Sequence, residues 1–213
     1  MHASPVSAAQ RVYEHVKQGI LDASYAGGEL LTEGLVSEQV GVSRTPVREA
    51  LLRLETEGLV RLYPKKGALV VPVSAKEAED VLEARALVEG YAAPRAWEAR
   101  DELADDLAVV VEAMRAHRAD RDVVAFNRAD REFHERIVAA AGNDVLTRLY
   151  RSLRERQLCI SSAVMRVSLE RMDHAIEDHQ RFVVLLRGDD RDGFVALTDA
   201  HLRRALEHTR GVR

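Results

Sequence analysis

Apolar positions in this 213-residue chain follow two regimes. From Ala8 to Ala23 they recur at helical spacing, with Val12, Val16, Ile20 and Leu21 on one face. A short helix from Leu35 to Val40 is predicted next, stopped by Gly41. In "GVSRTPVREALLRLETEGLV", Ser43 or Thr45 caps a helix that runs to about Glu57, with Gly58 as its stop. Its buried face is read as Val47, Leu51, Leu52 and Leu54. "LVRLYPKKGALVVPV" then predicts two strands, Leu59–Leu62 and Ala68–Val71, joined by the turn Pro64-Lys65-Lys66-Gly67. After Ser74 the pattern is helical almost throughout. Turn signals divide it into helices near 75–99, 102–118, 122–141, 143–164, 168–187 and 191–209.

This reads as a mainly α protein. A winged helix-turn-helix occupies residues 1–73 and an all-helical bundle residues 76–213. Apolar residues make up 46% of the chain, enough for a core in each part, and with 5% aromatics those cores are mostly Leu, Val and Ala. The single cysteine, Cys159, excludes a disulfide framework and reads as a small buried hydrophobe. No apolar run reaches the length of a membrane span, and the N-terminus lacks the pattern of a signal peptide, so the expectation is a cytoplasmic protein with no membrane partner.

The net charge is −4, yet residues 41–67 hold six basic residues against three acidic ones. That local excess fits an electrostatic footprint for nucleic acid at one end of the chain. Pro46 in the first helical turn lacks only an amide that would have no partner there. Arg44 and Arg48, four apart, share the face opposite the leucines, where they suit phosphate oxygens or a guanine edge. The alternative is a solvated helix face with Glu49 and Glu55 as neighbours. Following a glycine turn and preceding a wing with Lys65, Lys66 and Gly67, the helix is read as a DNA-recognition element, with Gly67 letting the backbone approach a phosphate or enter a minor groove.

In the helical half, Asp130 and His134 lie four apart on one predicted helix, and His179 and His201 each lie on another. Three imidazoles and a carboxylate suit a borderline divalent ion such as zinc, nickel or manganese. On spacing alone, ordinary surface groups account for the pattern better than a metal site does.

"VSRTPVREALLRLETEGLV", followed by the wing glycine, resembles the winged helix-turn-helix of the GntR family of bacterial transcription regulators over about residues 8–73. The resemblance implies DNA contacts by Arg44, Thr45 and Arg48, with Gly67 at the wing tip. Gly27-Gly28 stands where the family commonly has Pro-Gly, and Gly34 where some members have a basic contact residue. Residues 76–213 resemble the all-helical FCD effector domain of the FadR-type subfamily, in its six-helix, VanR-like variety. "DREFHERIVAAAGN" and the two later histidines match that domain's pattern, which implies a metal on Asp130, His134, His179 and His201. It also implies a small carboxylate effector held against the ion. Arg85 matches an arginine of the family's first effector-domain helix and is a candidate counter-charge for that effector, the alternative being a surface arginine paired with Glu89 or Glu83. Asn127, one turn before Asp130, is a candidate for lining the same pocket.

The function these readings converge on is a metabolite-responsive, homodimeric repressor of a catabolic operon, acting on double-stranded operator DNA. The rivals are a regulator that senses the metal itself and a metal-dependent enzyme in a helical bundle. The enzyme lacks an obvious general base beside the ligands and leaves the winged helix unexplained.

Overall fold

A computed structural model describes residues 6–22, 24–72, 74–153 and 169–210. Among these, residues up to Ser74 form one compact unit and those from Ala75 another.

The first unit opens with helix α1 (Ala8–Leu21), whose Ser7 side chain accepts a hydrogen bond from the Gln10 amide. Strand β1 (Leu30–Leu31) leads into α2 (Glu33–Val40), capped by Thr32 and closed by Gly41 in the left-handed region. Helix α3 (Arg44–Thr56) follows, then β2 (Val60–Tyr63) and β3 (Gly67–Val70). The sheet has three antiparallel strands in the order β1-β3-β2. The expected two-stranded wing thus gains a strand. At two residues β1 carries no alternation to detect, and only pairing of Leu30 with Leu69 and Leu31 with Ala68 makes it a strand. Helix α2 begins two residues early because Thr32 caps it. Ser43 occupies the N-cap of α3 without a side-chain bond to it, and Thr45 lies inside the helix.

One leucine is reassigned. Val47, Ala50, Leu51 and Leu54 of α3 are buried against Val12, Val16, Leu31 and Val36, whereas Leu52 is 55% exposed. At 100° per residue, Leu52 falls on the stripe of Thr45 and Arg48 rather than on the inward one.

The second unit is helical throughout its described residues. Helix α4 (Ala75–Ala96) ends in a 3-10 turn (Trp97–Ala99), followed by α5 (Arg100–Ala119) and α6 (Val123–Ala140). Helix α7 is described over 144–153, and the rest of the expected 143–164 helix, with Cys159, lies outside the described residues. Helices α8 (Leu169–Arg187) and α9 (Arg191–Arg210) complete the unit. Helix α5 packs on α6 and α8, and α4 on α6 and α9. Leu107, Met114, Phe133, Ile137, Phe182 and Phe194 form the centre of the core. Val88, Ala92, Val138 and Tyr150 join α4, α6 and α7 in a smaller cluster. No helix among the described residues is long and apolar enough to cross a membrane.

Candidate nucleic-acid interface and metal centre

In the first unit, α3 and the wing enclose a groove of about 760 Å³. Arg44, Arg48, Leu52, Tyr63, Lys65 and Lys66 are among the side chains along it. Arg44 and Thr45 are exposed in the first turn of α3, which contains no acidic residue. Cations there oppose the positive end of the helix dipole, an arrangement that favours an incoming anion. Arg48 donates through Nε to Glu33 Oε1 at 2.7 Å, which ties α3 to the start of α2. That hydrogen bond lowers the Glu33 pKa and raises that of Arg48. Gly34 lies beside Arg44, since a Cβ there would stand 3.9 Å from Arg44 Nη2.

The wing turn is closed by the Lys66 amide donating to the Tyr63 carbonyl at 3.0 Å. Pro64 sets its first corner and Lys65, with φ 64°, its second. Gly67 has an internal reason to be glycine. Its φ is 126°, and a Cβ would lie 2.2 Å from the Leu31 carbonyl oxygen. The close approach that excludes a side chain here is to β1.

In the second unit, one stripe of α6 carries Phe126, Ala129, Phe133 and Ile137 inward and brings His134 with them. His179 comes from α8 and His201 from α9. One ligand nitrogen from each ring lies within 4.8 Å of the others. His134 Nε2 and His179 Nε2 are 3.2 Å apart, and Asp130 Oδ1 stands 3.9 Å from the first and 3.6 Å from the second. His201 Nδ1 is engaged by Asp178 Oδ2 at 3.2 Å, so Nε2 is the atom it has left for the group. Phe133 packs edge-on to His179 with ring centroids 4.1 Å apart and gives the site an apolar floor.

The buried His179 ring is hydrogen-bonded to the Ala175 backbone, one turn earlier on α8. His134 Nδ1 lies 2.9 Å from Glu89 Oε2, within hydrogen-bond distance. Burial holds the His134 ring down to about 4, against the opposing pull of Glu89 and Asp130. Burial likewise holds His179 down to about 3, with Asp130 pulling the other way. Both rings are therefore neutral near pH 7, the form that binds metals.

These shifts carry a stability consequence. Both folded values lie below the ordinary 6.5. Between about pH 6.5 and 4 the unfolded chain binds protons that the folded rings refuse, so stability falls as pH falls through that window. Metal-free protein should lose up to about 1.4 kcal/mol per pH unit for each ring. Urea unfolding at pH 7, 6 and 5 measures this, and a flat profile would mean that the rings take up protons inside the fold.

Arg85 is a departure from expectation in one respect. It is not a surface arginine: it is 3% exposed, and its Nη2 lies 2.8 Å from Oε1 of Glu89, itself 1% exposed. Burial opposes its charge, but Glu89, Tyr150 and Asp130 outweigh burial and raise its pKa. Asn127 is half-buried on α6. Nothing in the spacing of Glu89, Tyr150 or Asp178 marks them as site residues: from sequence Glu89 is only an alternative partner of Arg85, and Asp178 is one of many charged residues on α8.

The gntR family of bacterial regulatory proteins matches residues 8–70, and the FCD domain matches residues 80–204. This chain belongs to the gntR family and carries an FCD domain. It is 27% identical over 194 residues to the gluconate operon transcriptional repressor of Bacillus licheniformis, spanning 89% of this chain and 79% of that protein. It is 30% identical over 182 residues to the Nta operon transcriptional regulator of Aminobacter aminovorans, covering 84% of each. McbR/YncC of E. coli shares the fold, with a TM-score of 0.81 at 20% identity over 97% of this chain and 98% of that one. The GntR–FCD chain is thus a DNA-binding transcription regulator and not an enzyme.

Proposed function

We propose that this regulator is a metabolite-responsive repressor of a catabolic operon, holding one divalent ion in its FCD bundle. Residues 1–73 read operator DNA, and residues 76–213 bind the effector and join two copies into a homodimer in the cytoplasm. The similarity to a repressor of a gluconate operon supports a catabolic target.

The observation that carries the metal reading is the pair of imidazole nitrogens facing each other at 3.2 Å in a buried site with a carboxylate beside them. At that distance one Nε2–H can donate to the other ring, but with both protons on Nδ1 the two lone pairs face each other and a cation between them relieves the repulsion. Ligands about 2.0–2.1 Å from one tetrahedral ion are themselves roughly 3.3 Å apart. Asp130, His134, His179 and His201 would hold the ion, with zinc, nickel or manganese as the candidates. When bound, it supplies a positive centre for a small carboxylate. Arg85 and Asn127 line the effector's side of the site, Arg85 through a charge that Glu89 already holds in place. An effector bound there acts on DNA affinity only through unequal affinity for two states of the protein.

The experiment is the metal content of untagged protein, read together with a native mass spectrum. One ion per chain is expected, and His134→Ala should lose it while remaining folded. Full metal content in that variant would refute the ligand set.

For the DNA face we assign groove and phosphate contacts to Arg44, Thr45 and Arg48, and backbone contacts to Lys65 and Lys66, with Gly67 setting the path of the wing. Arg48→Ala should weaken operator binding about tenfold to a hundredfold without loss of folding. Affinity unchanged in a salt titration would put the recognition surface elsewhere.

A further inference from the structure

Two carboxylates that the ligand set does not use touch its imidazoles from behind. Glu89 on α4 places Oε2 2.9 Å from His134 Nδ1. Its other oxygen, Oε1, accepts from Arg85 Nε at 2.9 Å and from the Tyr150 hydroxyl at 2.6 Å. Asp178 on α8 places Oδ2 3.2 Å from His201 Nδ1 and pairs with Arg204. In each case a carboxylate meets ring Nδ1, and an arginine meets the carboxylate.

We propose that Glu89 and Asp178 are positioning residues, which hold His134 and His201 with Nδ1 protonated so that both Nε2 lone pairs converge with that of His179 on one divalent ion. This rests on the metal reading above. The physical reason is the tautomer. A neutral imidazole carries one proton, and a carboxylate at Nδ1 holds it there and leaves Nε2 as the donor to a metal. Unfixed, the rings divide between two tautomers, one of which presents N–H to the ion.

The arginines make this compatible with burial. A lone carboxylate at the position of Glu89 would be strongly disfavoured, and Arg85 with Tyr150 offsets that. Arg85 Nε and the Tyr150 hydroxyl donate to Oε1, and Oε2 faces the imidazole. A pair needed for packing alone would be replaced at little loss by apolar side chains of similar volume. The arrangement repeats on a second histidine from different helices. His179 differs: its ring is hydrogen-bonded to the Ala175 backbone rather than to a carboxylate, and the Phe133 and Phe182 rings flank it.

Glu89→Gln is the informative substitution at the first position. The amide oxygen is held by Arg85 and Tyr150, so the amide nitrogen is turned to His134 Nδ1. A donor there favours the Nε2–H tautomer, the wrong one for metal. Asp178→Ala removes the acceptor at His201, and Asp178→Asn returns one.

The test uses the full chain, with Zn2+ as the probe. Long-range 1H–15N spectra of the metal-free protein report each histidine's tautomer. The wild type should show Nδ1–H at His134 and His201. Glu89→Gln should shift His134 alone, and Asp178→Ala should shift His201 alone. Chelator competition should show Zn2+ binding weakened about tenfold to a hundredfold in each, with Asp178→Asn partly restored. Should Glu89→Gln not fold, the half-buried Asp178 variants decide the matter. Folded variants with wild-type tautomers and wild-type Zn2+ affinity would overturn the positioning role alone. A wild type that binds no Zn2+ would overturn the metal reading and this inference with it.

Discussion

Arg85→Ala should destabilise the helical unit by about 3–5 kcal/mol, the range found when one partner of a buried ion pair is removed. Glu89, at 1% exposure, would lose the guanidinium that neutralises it while still facing the Tyr150 hydroxyl and the His134 edge. Its carboxylate would then be driven toward the protonated form. The deficit should therefore shrink as pH is lowered from 7 toward 5, opposite in sign to the loss from the buried histidines. Urea unfolding of metal-free protein, followed by helical circular dichroism, separates the two trends. A loss below about 1 kcal/mol at pH 7 would mean that water reaches the pair. Replacing Arg85 and Glu89 together by methionine should be milder than Arg85→Ala alone, since no charge is then left behind.

Gly67→Ala should be the most damaging single methyl in the winged unit. Two penalties combine: φ of 126° disfavours any L side chain, and the added Cβ would lie 2.2 Å from the Leu31 carbonyl oxygen and 3.1 Å from Thr32 Cα. Together they amount to roughly 2–5 kcal/mol. Relief requires β1 to leave β3, which breaks the Leu31–Ala68 pairing and moves Thr32 from the N-cap of α2. Operator affinity should fall with stability, because α2 carries Glu33, the partner of Arg48. Gly142→Ala is the comparison. Its φ is 72°, but nothing lies within 4 Å of the added Cβ, so only the backbone penalty of about 1–2 kcal/mol applies. Equal losses in the two variants, measured by thermal unfolding, would show that the sheet yields freely at Leu31.

Much of the architecture was legible because it rests on local rules. Apolar spacing and glycine stops act within a few residues, so the helices whose ends are described fall where periodicity placed them, within a turn at those ends. Pro46 and the basic residues around it mark, by type and position alone, the helix proposed to read DNA. Strand β1 was not legible, since two residues carry no period. The placement of Leu52 failed for a related reason. Leucine in a helix suggests burial, and only the stripe it shares with Arg48 decides otherwise.

The candidate metal centre divides along the same line. The chain by itself determined that Asp130 and His134 share a helix face, because positions four apart always do. It also determined the residue types that a divalent ion accepts. That His179 and His201 meet them was decided by the packing of α8 and α9, across 45 residues between His134 and His179 and a further 22 to His201. The same packing took Arg85 from a plausible surface ion pair to a buried one, and brought Glu89 and Asp178 behind the imidazoles. Hydrogen bonds and ion pairs act over a few ångströms of space, not over distance along the chain. Residues far apart in sequence acquire those neighbours only when the helices that carry them pack.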